Sequence, residues 1–415
     1  MPSLPGPALS PLDALIRVAE APVIAMLHGS GGATLVWHDQ LPAQSADPLV
    51  ALRQAASAAL PIPGDRTWGS TWAAVPPGAT LIQLDYEFPR TPPLLIPADH
   101  LVRWDAAGRC TLHGPDEARL RRMAAQLHAA APEPPPPRLL APLVPAWNAA
   151  AHQARVERIR AWIASGDCYQ INLAVSFSGR LGPAAQRDVA FFRQLVTNSP
   201  APYAAFFRAP GRASVISHSP ECLLAARGER LCSVPIKGTR RRLPGRDLDM
   251  RAELRHSAKD HAELAMIVDL VRHDLGRIAI PGSVQVEDDG LTIDLPYVHH
   301  RAARIVASRR AGTSLAEALL AVFPAGSITG APKIRVMQLL TQLESGPRGP
   351  YCGSFGWISA DAADLAVAIR TASVRGEQVT LHAGGGVVWD SDGAAEWDEA
   401  QAKAAGLAAA LESHP

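Results

Sequence analysis

Apolar and polar positions change period repeatedly along this chain, and each change marks an element. Val23–Leu27 and Thr80–Leu84 are short apolar runs beside Gly29–Gly32 and Pro76-Pro77-Gly78, which predicts strands joined by turns. Arg119–Ala130 has helical character with a charged face, and Ala131–Pro137 (APEPPPP) predicts a stiff, extended connector that fits neither helix nor central strand. Next, Trp147–Gly166 sets Val156, Ile159 and Ile163 on one helical face, with Arg155, Glu157, Arg158 and Arg160 mainly on the other. Gly166-Asp167 ends that helix, and Cys168–Phe177 alternates with the period of a strand. Strands are predicted at Ser214–Ser217, Cys222–Ala226 and Leu231–Pro235, followed by a basic loop, Arg240–Arg246. Ala258–Leu275 predicts a long helix with Met266, Ile267, Leu270 and Val271 as its buried stripe. Lys333–Leu343 and Ala394–Leu411 predict two more helices, with strands at 354–359, 365–371 and 378–388 between them.

Grouped strands separated by single helices predict an α+β fold rather than regular βαβ winding. The connector divides the chain into an N-terminal region, 1–130, a Pro-rich stretch, 131–146, and a C-terminal region, 147–415. A hydrophobic content of 47% over 415 residues is ample for a sizeable core. The net charge of +1 gives no footprint for nucleic acid or an anionic membrane, and no apolar run is long enough to span one. Five cysteines without C-x-x-C spacing, and no signal-like N-terminus, predict reduced thiols in a cytoplasmic protein. Neither G-x-G-x-x-G after a strand nor a P-loop is present, so nucleotide binding has no support.

Candidate chemistry begins with lysine. Of 40 Lys and Arg residues only four are lysine, and all four (Lys237, Lys259, Lys333, Lys403) lie in the C-terminal half. An ammonium can be tuned into a nucleophile or base, whereas a guanidinium keeps its proton, so these four are candidates for chemistry. Gly326–Lys333 (GSITGAPK) leads into a helix; its amides and the hydroxyls of Ser327 and Thr329 suit an anion, though an ordinary capped helix explains it too. Gly384, Gly385 and Gly386 end a strand and expose amides to a ligand, or form a bulge. Arg370 closes the preceding strand and suits a carboxylate, and Tyr351 offers a hydroxyl to the same ligand. Glu263 lies among apolar neighbours on the long helix, while Glu396, Glu399 and Lys403 share one face of the last. Carboxylates from two helices without Cys or His pairs suit Mg²⁺, although by spacing alone a solvated, salt-bridged face is the simpler account. His299-His300 is a histidine pair, usually a structural feature, that beside a carboxylate site suits a general acid.

Taken together, Asp167–Leu173, Ser219–Glu221, Pro235–Thr239, Lys259–Gly276, Phe323–Lys333 and Gly384–Lys403 resemble the chorismate-utilising enzymes in order and spacing. The resemblance covers about residues 147–411 and is looser over 1–130. It implies the fold of anthranilate synthase component I: two packed, mostly antiparallel β-sheets with helices outside. It also makes 147–415 the chorismate-binding catalytic region. Glu263, Glu396 and Glu399 match the family's Mg²⁺ ligands. Tyr351, Arg370, Gly384, Gly385, Gly386 and Lys403 match positions that hold chorismate, while Thr329 and His300 match its site threonine and histidine.

Pro235-Ile236-Lys237-Gly238-Thr239 resembles the branch that makes 4-amino-4-deoxychorismate for 4-aminobenzoate and folate synthesis. Anthranilate-forming members, the alternative, typically have alanine at Lys237; isochorismate- and salicylate-forming members carry a lysine near Gln170 instead. The resemblance implies a covalent intermediate on Lys237 and ammonia from a separate glutamine amidotransferase subunit, since no G-x-C-x-G elbow is present here. Two departures stand out: His273 replaces the usual asparagine, and residues 1–130 look shorter than usual.

Overall fold

The connector separates two regions in sequence that hydrogen bonding rejoins. The structure is a computed structural model, described over the whole chain except residues 1, 30–31, 42, 58–71, 73, 184–185, 244, 296–297 and 412–415. Among the described residues the strands form two antiparallel sheets, of twelve and nine strands. The larger sheet runs through Val23–Gly29, Tyr203–Arg208, Ser214–Ser219, Thr371–Arg375, Gln378–Val387 and Gln170–Arg180 in that order. The smaller runs through Ile236–Arg241, Val298–Ser308, Arg230–Val234, Cys222–Arg227, Ala362–Val367, Ser354–Ile358, Thr80–Leu84 and Leu94–Pro97. Residues before the connector thus enter both sheets: Val23–Gly29 pairs with Tyr203–Arg208, and Thr80–Leu84 with Ser354–Ile358.

Three apolar clusters layer the molecule in the α+β arrangement expected. Val23, Leu27, Leu81, Tyr203, Cys222 and Phe355 belong to one that draws on both sheets and lies between them. The helices Ala149–Ala164, Arg187–Asn198 and Gly393–Ala408 cover the outer face of the larger sheet around Ile171, Leu173, Phe206 and Leu381. Ala258–Gly276 and Leu315–Val322 cover the smaller around Leu224, Ile305 and Leu365. Local chemistry starts these helices: the Asn148, Ser257 and Asp392 side chains each accept backbone N–H groups of the first turn.

Several expectations needed correction. The long helix buries Leu264, Ile267, Val268, Val271 and Leu275, leaving Met266 and Leu270 at the margin, because the stripe follows the sheet's twist. The basic loop is in its first part strand, Ile236–Arg241, whose backbone completes the sheet edge while Arg240 ion-pairs with Glu253 and Asp260 and Arg241 is exposed. Arg370 lies beyond Ala362–Val367, in a tight turn with φ +50°, and so does not close a strand. The glycine-bearing segment does not lead directly into a helix: Gly326–Thr329 is one short turn, and Gly330-Ala331 then pairs with Gln170-Ile171 before the helix Lys333–Leu340. Gly330 has φ +138°, and a Cβ there would strike the Gln170 carbonyl, so only glycine fits. The predicted turn Gly29–Gly32 lies partly outside the described residues.

Candidate functional site

The edge strand of the smaller sheet meets the end of an interior strand of the larger one to make the site. Gly384, Gly385 and Gly386 of Gln378–Val387 pair with Ala174, Leu173 and Asn172 of Gln170–Arg180. From the smaller sheet, Lys237 pairs with Arg301, and Thr239 with His300. A Cβ at Gly386 would stand 3.3 Å from Lys237 Nζ, which places the amine against the glycine run of the opposite sheet. A Cβ at Gly385 would lie 2.8 Å from Glu396 Oε2 and 3.4 Å from Glu399 Oε1, so this glycine leaves room for two converging carboxylates. Gly384 is held tighter, with the Leu173 carbonyl where its Cβ would go, and its own carbonyl accepts from Lys403 Nζ at 2.7 Å.

Charge in the cleft is dense and mixed. Lys403 Nζ lies 2.6 Å from Glu399 Oε1. Burial pushes the Glu399 carboxyl up, but Lys403, Lys237 and Lys259 outweigh it and hold the group below its ordinary range. Glu396, buried on the same helix, accepts from Ser391 Oγ at 2.8 Å; burial and the Glu399 charge push it up. Glu263 faces the cleft from the other helix, its side chain 19% exposed, with Lys259 Nζ 3.9 Å from its Oε1. Lys237 keeps partial access to the cleft, yet desolvation holds its ammonium below the ordinary lysine range. Lys403 reinforces that shift, while Glu263, Glu221 and Glu399 oppose it. Lys333 is different: its Nζ donates to Asp274 Oδ2 at 2.6 Å and to Val322 O, a buried structural pair apart from the chemistry.

The wall opposite the carboxylates carries Arg370 and His300. Arg370 donates to His300 Nε2 at 3.2 Å and makes no ion pair among the described residues, so most of its guanidinium is available to an anion. A non-glycine residue at φ +50° is strained, as residues at functional sites often are. Burial, then the Arg370 charge, pushes His300 down to about 3. The ring is neutral in this setting, with Nε2 accepting from Arg370 and Nδ1 2.9 Å from Thr239 Oγ1. Tyr351, buried, stacks on His382 at 5.4 Å. The hydroxyls of the GSIT segment are already committed. Thr329 Oγ1 donates to Ala325 O at 2.9 Å, and Ser327 Oγ to Glu221 Oε1 at 2.5 Å, so both hydroxyl protons are used within the protein. His273 is exposed and lies outside this arrangement.

The residues present fit a hard divalent cation. Glu396 and Glu399 converge on the space that Gly385 leaves, and Glu263 approaches from the facing helix, an all-oxygen set suited to Mg²⁺. Among the described residues no group of three or more His, Cys, Asp or Glu side chains is gathered closely enough to hold a metal ion by itself. Such a cation would need substrate or water oxygens to complete its shell, which is how Mg²⁺ commonly binds.

Comparison with known proteins bears on what binds here. Residues 69–409 match the model of a family described as chorismate binding enzyme. The chain belongs to the chorismate-binding enzyme family. Among its relatives, aminodeoxychorismate synthase component 1 of Klebsiella aerogenes is 40% identical over 62% of this chain and 58% of its own length. The chain therefore spans a little over half of that relative. Anthranilate synthase component 1 of Streptomyces coelicolor is 35% identical over 92% of this chain and 82% of its own. The solved structure of the menaquinone-specific isochorismate synthase MenF from Escherichia coli superposes with a TM-score of 0.80 at 20% identity. That alignment covers 99% of this chain and 94% of MenF, a likeness of fold. As in that fold, helices of this family member flank two antiparallel sheets.

Two residues that the sequence left without a role join the site. Glu221 is almost fully buried, and burial pushes its carboxyl up to about 7, against Ser327's hydrogen bond and the Lys237 charge. A carboxyl at that value holds a proton near neutrality and can give it up. Gln170, fully buried, would be met by a Cβ at Gly386, and neither its Nε2 nor its Oε1 has a hydrogen-bond partner. Both residues stood in segments that resembled the family, but no local pattern marks a buried glutamate as an acid; the burial that raises it comes from the other sheet and the GSIT turn. Among the described residues, no helix is long and apolar enough to cross a membrane, and all five cysteines are free.

Proposed function

We propose that this chain aminates chorismate at C4, forming 4-amino-4-deoxychorismate with ammonia supplied by a partner amidotransferase. The observation that carries this reading is Lys237, an amine held below its ordinary range and aimed between the sheets at Gly386. Arg370 and the glycine amides bind the substrate's carboxylates, while Glu263, Glu396 and Glu399 would hold Mg²⁺. When bound, that ion would neutralise charge on the ring carboxylate. Lys237, deprotonated, forms a C–N bond at C2; both ring double bonds shift along the diene and the C4–O bond breaks. Glu221 delivers its proton to the departing hydroxyl, which leaves as water. Ammonia then forms the C4–N bond, both double bonds shift back, and the C2–N bond to Lys237 breaks, returning the amine. Two such displacements replace the hydroxyl by an amine at the original carbon, which is the chemical use of a nucleophile here. Glu221, left as a carboxylate by the first displacement, takes up the proton released as ammonia adds and is ready for another turnover.

A second reading has its own support: the anthranilate synthase relative matches over 92% of this chain. That product forms without a lysine adduct, so Lys237 separates the two. Purified protein given chorismate, Mg²⁺ and ammonium should yield 4-amino-4-deoxychorismate, identified by mass and ultraviolet spectrum. Lys237→Ala and Lys237→Arg should each lose at least about a hundredfold in rate. Intact-protein mass spectrometry without ammonia should show an adduct on the wild type only. Near-normal turnover by the arginine variant refutes the nucleophile, and anthranilate as the wild-type product selects the second reading.

A further inference from the structure

Lys259 stands at the cleft without a part in the reaction just described. It precedes Glu263 by one turn on Ala258–Gly276, and its side chain is 72% exposed while that of Glu263 is 19% exposed. An exposed ion pair at this spacing contributes little to a helix. Its surroundings suggest another use. Glu396 and Glu399 converge beside Gly385, Glu263 faces the cleft from the other helix with Lys259 Nζ 3.9 Å from its Oε1, and the Lys259 charge is also felt at Glu396 and Glu399. The other cations there are engaged: Lys403 is hydrogen-bonded to Glu399 and to the Gly384 carbonyl, and Lys237 must shed its proton to react. Arg370 is held against His300, and among the described residues Lys259 is the exposed ammonium beside these carboxylates.

We propose that Lys259 is the built-in counterion of the carboxylate cluster. Its ammonium sits at the mouth of the cation site, competes with a free divalent cation for the same carboxylate oxygens, and withdraws into solvent when that cation enters. The role suits lysine. A compact, strongly hydrated charge on a flexible four-carbon stem leaves a carboxylate easily, whereas a guanidinium fork grips it through two hydrogen bonds. In a chain where 36 of 40 basic residues are arginine, an exposed ammonium at this point has a chemical rationale. The inference rests on the reading of Glu263, Glu396 and Glu399 as a cation site, and its test separates the two.

The probe is Mg²⁺ alone, titrated calorimetrically into the full chain, with melting temperatures measured with and without the ion. Lys259→Met should bind Mg²⁺ about tenfold more tightly than wild type, since one competing charge near three carboxylates is gone. Without Mg²⁺ the same variant should melt below wild type, because the carboxylates then repel one another unrelieved, and Mg²⁺ should close the gap. Lys259→Arg should bind Mg²⁺ no more tightly than wild type. Equal affinities and equal ion-free melting temperatures for wild type and Lys259→Met overturn the counterion role while leaving the cation site standing. Failure of all three proteins to bind Mg²⁺ overturns the cation site, and the counterion role with it.

Discussion

Glu221 shows how one residue can be set for a task by its surroundings alone. Its carboxyl titrates near 7 in the folded chain against an ordinary 4.5, because burial disfavours the anion more than Ser327 and Lys237 support it. The native state therefore holds this proton more tightly than the unfolded chain does. The stability it contributes is complete below about pH 4.5 and is lost as pH rises through about 7. Glu221→Gln removes the titration. Its melting temperature relative to wild type should climb across that window, by an amount worth on the order of 2 kcal/mol at the alkaline end. A pH-independent difference between the two proteins would show that Glu221 does not carry the shifted value. If the same proton serves the departing hydroxyl, wild-type kcat/KM should fall above about pH 7, and the glutamine variant should be slow throughout. Arg370 illustrates the converse at this scale: its strained turn and lack of an ion pair mean little singly, and gain meaning only beside His300 and the glycine run.

Among elements, the strand Gln378–Val387 bears most of the site. Its three consecutive glycines do different jobs, and the neighbours reveal which. Gly384 yields to a neighbouring backbone carbonyl, Gly385 to two carboxylates, and Gly386 to Gln170 and Lys237. Gly385 needs no unusual backbone angle, so Gly385→Ala is a clean probe of space. The added methyl should displace Glu396 and Glu399 and weaken Mg²⁺ binding about tenfold or more, read by calorimetry, while circular dichroism stays that of wild type. Unchanged Mg²⁺ affinity would mean the two carboxylates do not hold the ion together. The helix Gly393–Ala408 completes the element pair by showing one face to the cleft: Glu396 is buried against Ser391, while Glu399, a turn later, is half exposed and tied to Lys403.

At the scale of the whole molecule, the two sheets enclose a cleft reached by Lys237 from one side and the glycine run from the other. On the proposed reading the cleft takes a dianion and a cation, and the sequence holds no G-x-C-x-G nucleophile elbow for releasing ammonia from glutamine. The purified chain should therefore turn over chorismate with ammonium and give only background with glutamine, measured by product formation. Glutamine-dependent activity from the rigorously purified chain would reveal an amidotransferase site within it and remove the need for a partner. Residues 1–130 matter here as structure, because Val23–Gly29 and Thr80–Leu84 extend the two sheets whose inner faces bound the cleft.

The sequence alone determined the elements whose periodicity is strong: the helices near 149–164, 258–276 and 393–408, the strands between them, and the α+β class. Local hydrophobic pattern, capping side chains and glycine punctuation act over a few residues, so they can be read without a partner. The segments quoted for the family resemblance also marked Lys237 and the three glutamates, and matching positions outside them marked Arg370 and His300; the folded chain brings these residues to one cleft or its rim. Tertiary structure decided what periodicity cannot carry. Lys333, chemically equal to Lys237 in sequence, became a structural partner of Asp274, while Lys237 met a glycine run from the other sheet. Met266 and Leu270 left the buried stripe because the sheet beneath sets which helix face is covered. Ser327 was taken by Glu221, and His300 was made neutral by burial and Arg370. A side chain's charge state and hydrogen-bond partner depend on groups distant in sequence, through desolvation and Coulomb terms that exist only once both sheets are in place.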